Sequence, residues 1–249
     1  MSPRLGFAVE TARLAGNLTL AHFRNGVPFE RKADESPVTV ADREAEAFVR
    51  RRIAERYPDD AVLGEEQGGV QRPDQWVVDP IDGTKSFIAG VPAYAVLISY
   101  EQDGEPVLGV CHMPALGETI YAEKGDGCFW QDRPCCVSQK TRIEDSILCT
   151  GSLHSMEAAG RLRPMLTVAE RALGTRGWGD AYGHALVATG RVEAMVDPIV
   201  NRWDISAMAV IVREAGGSFT DFRGREELSN EAVSCAPGVK EELLEAFRS

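Results

Sequence analysis

Trp76-Val77-Val78-Asp79-Pro80-Ile81-Asp82-Gly83-Thr84 begins as an apolar run and ends as two acids and a glycine turn. Residues 76–79 read as a buried strand that delivers Asp79 to its end, with Pro80 stiffening the exit. Asp82 follows three residues later. Gly83 lets backbone approach a ligand closely, and the residues after it open a helix whose free N–H groups can hold a phosphate. Two carboxylates beside such a helix start repel a phosphate unless cations sit between them. The pattern therefore calls for a hard divalent ion with oxygen ligands, which suits Mg²⁺. Alone, the segment also admits a plainer account, with Asp82 as a helix N-cap and Asp79 as an ordinary strand-end residue.

Helical and strand-like segments alternate on both sides, the pattern of a layered α/β protein. Leu5, Ala8, Val9, Ala12, Ala15 and Leu18 fall at helical spacing, and Glu10 and Arg13 interrupt any signal-peptide core. Residues 36–42 lead into a second helix with Ala45, Phe48, Val49 and Ile53 on its apolar face and Pro58 as its stop. Val62-Leu63-Gly64 is a short apolar run ending in Glu65-Glu66. Residues 94–100 and 107–112 read as strands separated by the turn Gln102-Asp103-Gly104.

The pattern changes around Arg133-Pro134. This sets an expected division into residues 1–133, with most of the candidate metal ligands, and residues 134–249, with Asp204 and substrate specificity. In the second part, residues 180–189 read as a helix ending at Gly190 and 192–196 as a strand. Residues 205–215 read as a helix with Ile205, Met208, Ala209, Val212 and Ala215 on one face. Residues 239–247 close the chain as a short helix.

The 249 residues carry 27 Lys plus Arg against 38 Asp plus Glu, a formal charge of −11. That balance argues against a dedicated nucleic-acid or anionic-membrane binder, which needs a basic face. A small anionic substrate remains compatible with it, because metal ions invert the sign of a local site. No apolar run approaches the roughly 18–20 residues that cross a bilayer, and the expected location is the cytoplasm. The six cysteines include no CxxC pair and read as free thiols of a reducing compartment.

Two further segments place acids at element ends. Gly64-Glu65-Glu66 ends an apolar run, and Trp203-Asp204 opens the helix that stops at Gly216-Gly217. Glu65, Asp79, Asp82 and Asp204 thus all fall where α/β folds build their sites. Two like charges about 4 Å apart at an effective dielectric near 20 cost roughly 4 kcal/mol. Such a cluster needs metal to hold it together.

Gly64-Glu65-Glu66, then Asp79-Pro80-Ile81-Asp82-Gly83-Thr84, then Trp203-Asp204 followed by Glu214-Ala215-Gly216-Gly217 resemble the inositol monophosphatase superfamily of Mg²⁺-dependent, lithium-sensitive phosphatases. Order and spacing match along nearly the whole chain. The resemblance implies an αβαβα layered fold of the inositol monophosphatase/fructose-bisphosphatase type, usually as a homodimer, with two or three Mg²⁺ ions per active site. It implies a first metal at Glu65, Asp79 and the Ile81 carbonyl, and a second at Asp79, Asp82 and Asp204. Gly83 and Thr84 would give backbone N–H groups to the phosphate.

Thr39-Val40-Ala41-Asp42 matches the family's Thr-x-x-Asp, whose acid is hydrogen-bonded to the motif threonine, here Thr84. The same four residues fit a capping box for the helix that follows, and both roles can hold at once. Lys32 falls where family members often carry a lysine near the metals. The implied reaction is in-line attack on a phosphate monoester by a water that Glu65 and the Thr84–Asp42 pair orient, without a phosphoenzyme.

Gly179-Asp180-Ala181-Tyr182, followed by Ala188-Thr189-Gly190-Arg191-Val192-Glu193-Ala194 and Asp197-Pro198, looks more like the histidinol-phosphate phosphatases of this superfamily. Inositol-specific relatives usually follow that glycine with a small residue such as serine. Asp180 also fits a helix N-cap. Histidinol phosphate carries an ammonium and a titratable imidazole, so a carboxylate favours it over a neutral polyol through a charge-assisted hydrogen bond. Asp197 falls where the family places a substrate-binding acid, Asn201 is a supporting contact, and Arg176 is a partner for an acid in the site or across a dimer interface. His184, near the expected substrate wall, reads as a helix-surface or packed histidine, and Trp178 as a packing residue that is also a candidate for the pocket wall. The expected activity is hydrolysis of L-histidinol phosphate, a small phosphorylated metabolite. An inositol-1-phosphate or broad sugar-phosphate phosphatase is the alternative, and a metal-binding protein without catalysis is a third reading.

Overall fold

A computed structural model describes residues 1–26, 28–32 and 37–248; Ser36, where the approach to the second helix was placed, lies outside them. Helix α1 (Pro3–His22) starts at Ser2, whose side chain accepts the Leu5 N–H, and Pro3 fills the first turn without wasting an amide. The hairpin of β1 (Phe29–Arg31) and β2 (Pro37–Thr39) leads into α2 (Val40–Arg56), which stops just before Pro58 as the proline dictates. Strand β3 (Ala61–Gly64) lies parallel to β4 (Gln75–Asp82), and the short α3 (Thr84–Ile88) follows at once. Strands β5 (Ala95–Gln102), β6 (Glu105–Met113), β7 (Glu118–Glu123), β8 (Gly127–Trp130) and β9 (Arg133–Cys135) continue as an antiparallel meander. Together β3 to β9 form a seven-stranded sheet in chain order, and β9 begins at Arg133, so it spans the step from 133 to 134 where the division was expected.

The rest of the chain supplies β10 (Ile147–Thr150), α4 (Leu153–Ala158), α5 (Leu162–Ala169), β11 (Gly174–Arg176), α6 (Asp180–Ala188) and β12 (Ala194–Asp197). It closes with α7 (Arg202–Glu214), β13 (Ser218–Thr220), β14 (Ala232–Cys235) and α8 (Lys240–Arg248). The second sheet has the order β11-β10-β12-β14-β13, parallel among β11, β10 and β12 and antiparallel beyond.

Period-two alternation divides the strand side chains between neighbouring cores. On β5, Val96, Ile98 and Tyr100 join the core under α1 and α2, while Ala95 and Leu97 face the layer that holds α6 and α7. On β12, Met195 faces that same middle layer, while Ala194 and Val196 pack beneath α4, α5 and α8. The result is the αβαβα sandwich that the resemblance implied.

Two expectations about helix faces change with the layer in which each helix lies. Helix α7 buries every residue from Ile205 to Val212, not one stripe, because sheets enclose it on both sides. Leu18 is 38% exposed, since α1 lies on an outer face and covers its sheet with the stripe from Leu5 to Ala15. All six cysteines are free thiols. No helix among the described residues is long and apolar enough to cross a membrane.

Strand β4 does not end at Asp79, as expected, but runs on to Asp82 through a register shift. Asp79 pairs with Leu97 and Asp82 with Ala95, so β4 spends one residue more than β5 over this interval. A regular strand sends residues three apart to opposite faces. The bulge cancels that odd step and turns both acids to one side.

Candidate active site

Strand ends and helix starts meet around one cavity of about 210 Å³. Asp79 and Asp82 reach it from the end of β4, and Asp204 from the first turn of α7. One carboxylate oxygen from each lies within 4.8 Å of the other two. Backbone amides hold all three in place. Asp79 Oδ1 accepts the Ile81 N–H at 3.0 Å, Asp82 Oδ2 the Ala181 N–H at 2.7 Å, and Asp204 Oδ2 the Asn201 N–H at 2.6 Å. Asp82 therefore does act as a helix cap, but for the distant α6 and not for the α3 that follows it.

Gathering these acids is electrostatically costly. Burial, then repulsion from Glu65, Asp82 and Asp204, pushes the Asp79 carboxyl well above the usual range. Burial, then Asp180 and Asp204, does the same to Asp82. Asp204 is pushed up to about 7, chiefly by burial. The donors are all oxygens, the set a hard divalent cation takes, and a bound cation would relieve the repulsion that raises these values.

Glu65 lines the same cavity from the turn after β3, and its charge raises the Asp79 pKa. Its Oε1 also accepts Lys32 Nζ at 2.8 Å, and the same ammonium reaches Glu66 Oε1 at 2.7 Å. Burial opposes charge on Lys32, yet the two carboxylates raise its pKa overall. Burial pushes Glu66 up to about 7, against the pull of Lys32.

Thr39 and Asp42 satisfy both accounts the sequence allowed. Asp42 Oδ2 accepts the Thr39 amide at 2.8 Å and its hydroxyl at 2.5 Å, the capping box of α2. Asp42 Oδ1 is left facing Thr84 Oγ1 at 3.4 Å. The Thr84 hydroxyl also lies 3.0 Å from the Ile81 carbonyl, and its single proton serves one acceptor at a time. Burial raises the Asp42 pKa. Gly83 caps α3 with φ of 79°, a conformation that L side chains rarely adopt, and with Thr84 it presents the open amides of the helix start to the cavity.

Asp180, Ala181, His184, Asp197 and Asn201 also line the cavity. Asp180 is not the N-cap that its sequence context also allowed: Gly179 takes that position, and Asp180 sits at φ of 57° as the first residue of α6. Short polar residues tolerate that region. Burial raises the Asp180 pKa, and the Lys85 ammonium partly offsets the rise. Burial, then Asp180 and Asp204, pushes Asp197 up to about 7.

His184 is packed as expected, with Nδ1 at 2.7 Å from Ser234 Oγ and a pKa lowered by burial to about 3. Arg176 is not brought to the cavity. It is exposed on the edge strand β11 and donates to its neighbour's carbonyl, Thr175 O, at 2.7 Å. Trp178 also stays outside, half-turned to solvent. Lys85 lines the cavity and was not singled out in the sequence, although its place directly after Thr84 on the first turn of α3 is a usable signal.

The sequence profile of the inositol monophosphatase family matches residues 1–249. A histidinol-phosphatase of Chlorobaculum parvum is 43% identical over 234 residues, covering 92% of this chain and 89% of the relative. A fructose-1,6-bisphosphatase/inositol-1-monophosphatase of Thermotoga maritima is 36% identical over 225 residues, covering 90% of this chain and 86% of the relative. Among solved structures, an IMPase of Thermotoga maritima superimposes with a TM-score of 0.92 at 32% identity, covering 99% of this chain and 97% of that one. Motif order, layered fold and converging acids agree with these matches, and the chain belongs to the inositol monophosphatase family.

Proposed function

We propose that this phosphatase is Mg²⁺-dependent and hydrolyses L-histidinol phosphate to L-histidinol and phosphate. One observation carries the choice of substrate: Asp180 and Asp197 share a cavity with Asp79, Asp82 and Asp204. Mg²⁺ held by the latter three would offset the charge of the phosphate and leave Asp180 and Asp197 as uncompensated acids beside the leaving group. A leaving group with an ammonium and an imidazole supplies the missing positive charge there, and a neutral polyol does not. The name of the Chlorobaculum parvum relative supports the same choice.

Glu65, Asp79, Asp82, Asp204 and the Ile81 carbonyl would hold the metal. When bound, Mg²⁺ neutralises phosphoryl oxygens and raises the acidity of water. Gly83 and Thr84 amides bind the phosphate at the start of α3. Thr84 and Asp42 orient the attacking water, and Asp42, its pKa raised by burial, is the better proton acceptor for it. Asp180 and Asp197 orient the leaving group, and Asn201 borders them.

The combined name of the Thermotoga maritima relative favours a second reading, a phosphatase of inositol or sugar phosphates. Parallel kinetics on histidinol phosphate and myo-inositol-1-phosphate, with and without Mg²⁺, separate the two. A kcat/KM for the inositol ester equal to or above that for histidinol phosphate rejects the first. The assembly in this reading is a homodimer. Leu173 and Trp178, both exposed beside the open edge strand β11, support it, and sedimentation equilibrium tests it.

A further inference from the structure

Asp42, Glu46 and Arg50 follow one another at intervals of four on α2 and so share one face of the helix. Asp42 serves Thr84. Glu46, one turn on, is fully buried at 0% exposure. Its carboxylate accepts the backbone amides of Glu66 at 2.6 Å and Gln67 at 3.1 Å, the two residues directly after Glu65. Arg50 Nε lies 2.7 Å from Glu46 Oε1, and the rest of its guanidinium donates to the carbonyls of Val62, at 3.3 Å, and Gly68. The turn itself closes through Gly64 N–H on Gly68 O at 3.0 Å, while the Glu65 amide donates to Val78 O on β4 at 3.2 Å. Gly64 is part of the same arrangement, because a Cβ there would overlap the Glu46 carboxylate.

A buried ion pair is a poor device for stability alone, since apolar packing of similar volume often serves as well. This pair spends its hydrogen bonds on the backbone on either side of one acid. We infer that Glu46, held by Arg50, is a positioning residue that fixes the turn from which Glu65 reaches the acid cluster. The inference rests on the reading of Glu65 as a metal ligand. Helix α2 then sets both the Thr84–Asp42 contact and the placement of Glu65 as one rigid unit.

Calorimetric titration of Mg²⁺ into substrate-free protein tests this on wild type, Glu65→Gln, Glu46→Gln and Arg50→Lys. Glu65→Gln should lose Mg²⁺ affinity. Glu46→Gln and Arg50→Lys should each weaken it by about tenfold to a hundredfold, the range for residues that orient metal ligands. The Mg²⁺ concentration for half-maximal turnover should rise in step, with kcat at saturating Mg²⁺ little changed. Arg50→Lys keeps the charge but lacks the planar fork, so it decides the matter alone if Glu46→Gln does not fold. Unaltered Mg²⁺ affinity in a folded Glu46→Gln or Arg50→Lys protein overturns the inference, as does a kcat lowered equally at every Mg²⁺ concentration. If Glu65→Gln itself leaves Mg²⁺ affinity untouched, the reading of Glu65 has failed and the inference falls with it.

Discussion

The Asp82 carboxylate accepts the Ala181 amide at 2.7 Å, tying the end of β4 to the first turn of α6 across 99 residues of chain. A single hydrogen bond thus joins the strand that carries two of the clustered acids to the helix that opens with Asp180. The amide sits at a helix N-terminus, where partial positive charge favours a carboxylate.

Asp79 neighbours Glu65, Asp82 and Asp204 at once, so Asp79→Asn should remove most Mg²⁺ binding. Loss of orienting residues alone costs about tenfold to a hundredfold, and a direct ligand should exceed the upper figure in kcat/KM. Calorimetry with Mg²⁺ and a phosphate-release assay check this. Turnover at the wild-type rate would remove Asp79 from the metal site.

Asp180→Ser should shift substrate preference. A hydrogen bond to a charged group contributes about 1.5–3 kcal/mol, so the ratio of kcat/KM for histidinol phosphate over inositol-1-phosphate should fall roughly tenfold to a hundredfold. An unchanged ratio would contradict the assignment.

Thr84→Val removes the hydroxyl that faces Asp42 and Ile81 and keeps the shape. It should lower kcat by about 10²–10⁴, the usual worth of a positioned proton-transfer group, with melting temperature nearly unchanged. Thr84→Ser should restore most of the rate. Equal defects in both variants would point to packing and not to the hydroxyl.

The metal-free protein should lose stability as pH rises. Asp197 and Asp204 titrate at about 7 when folded, against about 4 in an unfolded chain, so the folded state binds more protons between those values. Stability is therefore highest below the window and declines through it. His112 and His184, lowered to about 4 and about 3, pull the other way below about pH 6.5, which makes about pH 6 and pH 8 the useful comparison. Chelator-treated protein should melt several degrees lower at the higher pH, and excess Mg²⁺ should close the gap. A pH-independent melt after metal removal would count against a closely packed acid cluster.

The linear motifs were legible because each packs its chemistry into a few consecutive residues. Glu65, Asp79, Asp82, Gly83, Thr84 and Asp204 all line one cavity, and Asp42 meets Thr84 from behind. Layered architecture was legible from alternation of period, which tertiary packing rarely overrides in long segments. Glu46 and Arg50 were not, because acids and bases four apart on a helix read as a solvated face until something covers them. Arg176 was misplaced for the opposite reason. Its position beside Gly179 and Asp180 in sequence says nothing about where an edge-strand side chain turns. The extent of α7 burial was equally hidden, since one apolar stripe is visible in a sequence and a second enclosing sheet is not.

The bulge between Asp79 and Asp82 makes length and facing inseparable over that interval. Surface connections in this fold tolerate insertions and deletions readily. Here, one residue added with the bulge retained would swing an acid through the sheet into the apolar packing of Trp76 and Val78. Divergence among related chains can therefore reshape the loops around this spot, but a residue added between the two aspartates while the bulge stays turns one of them away.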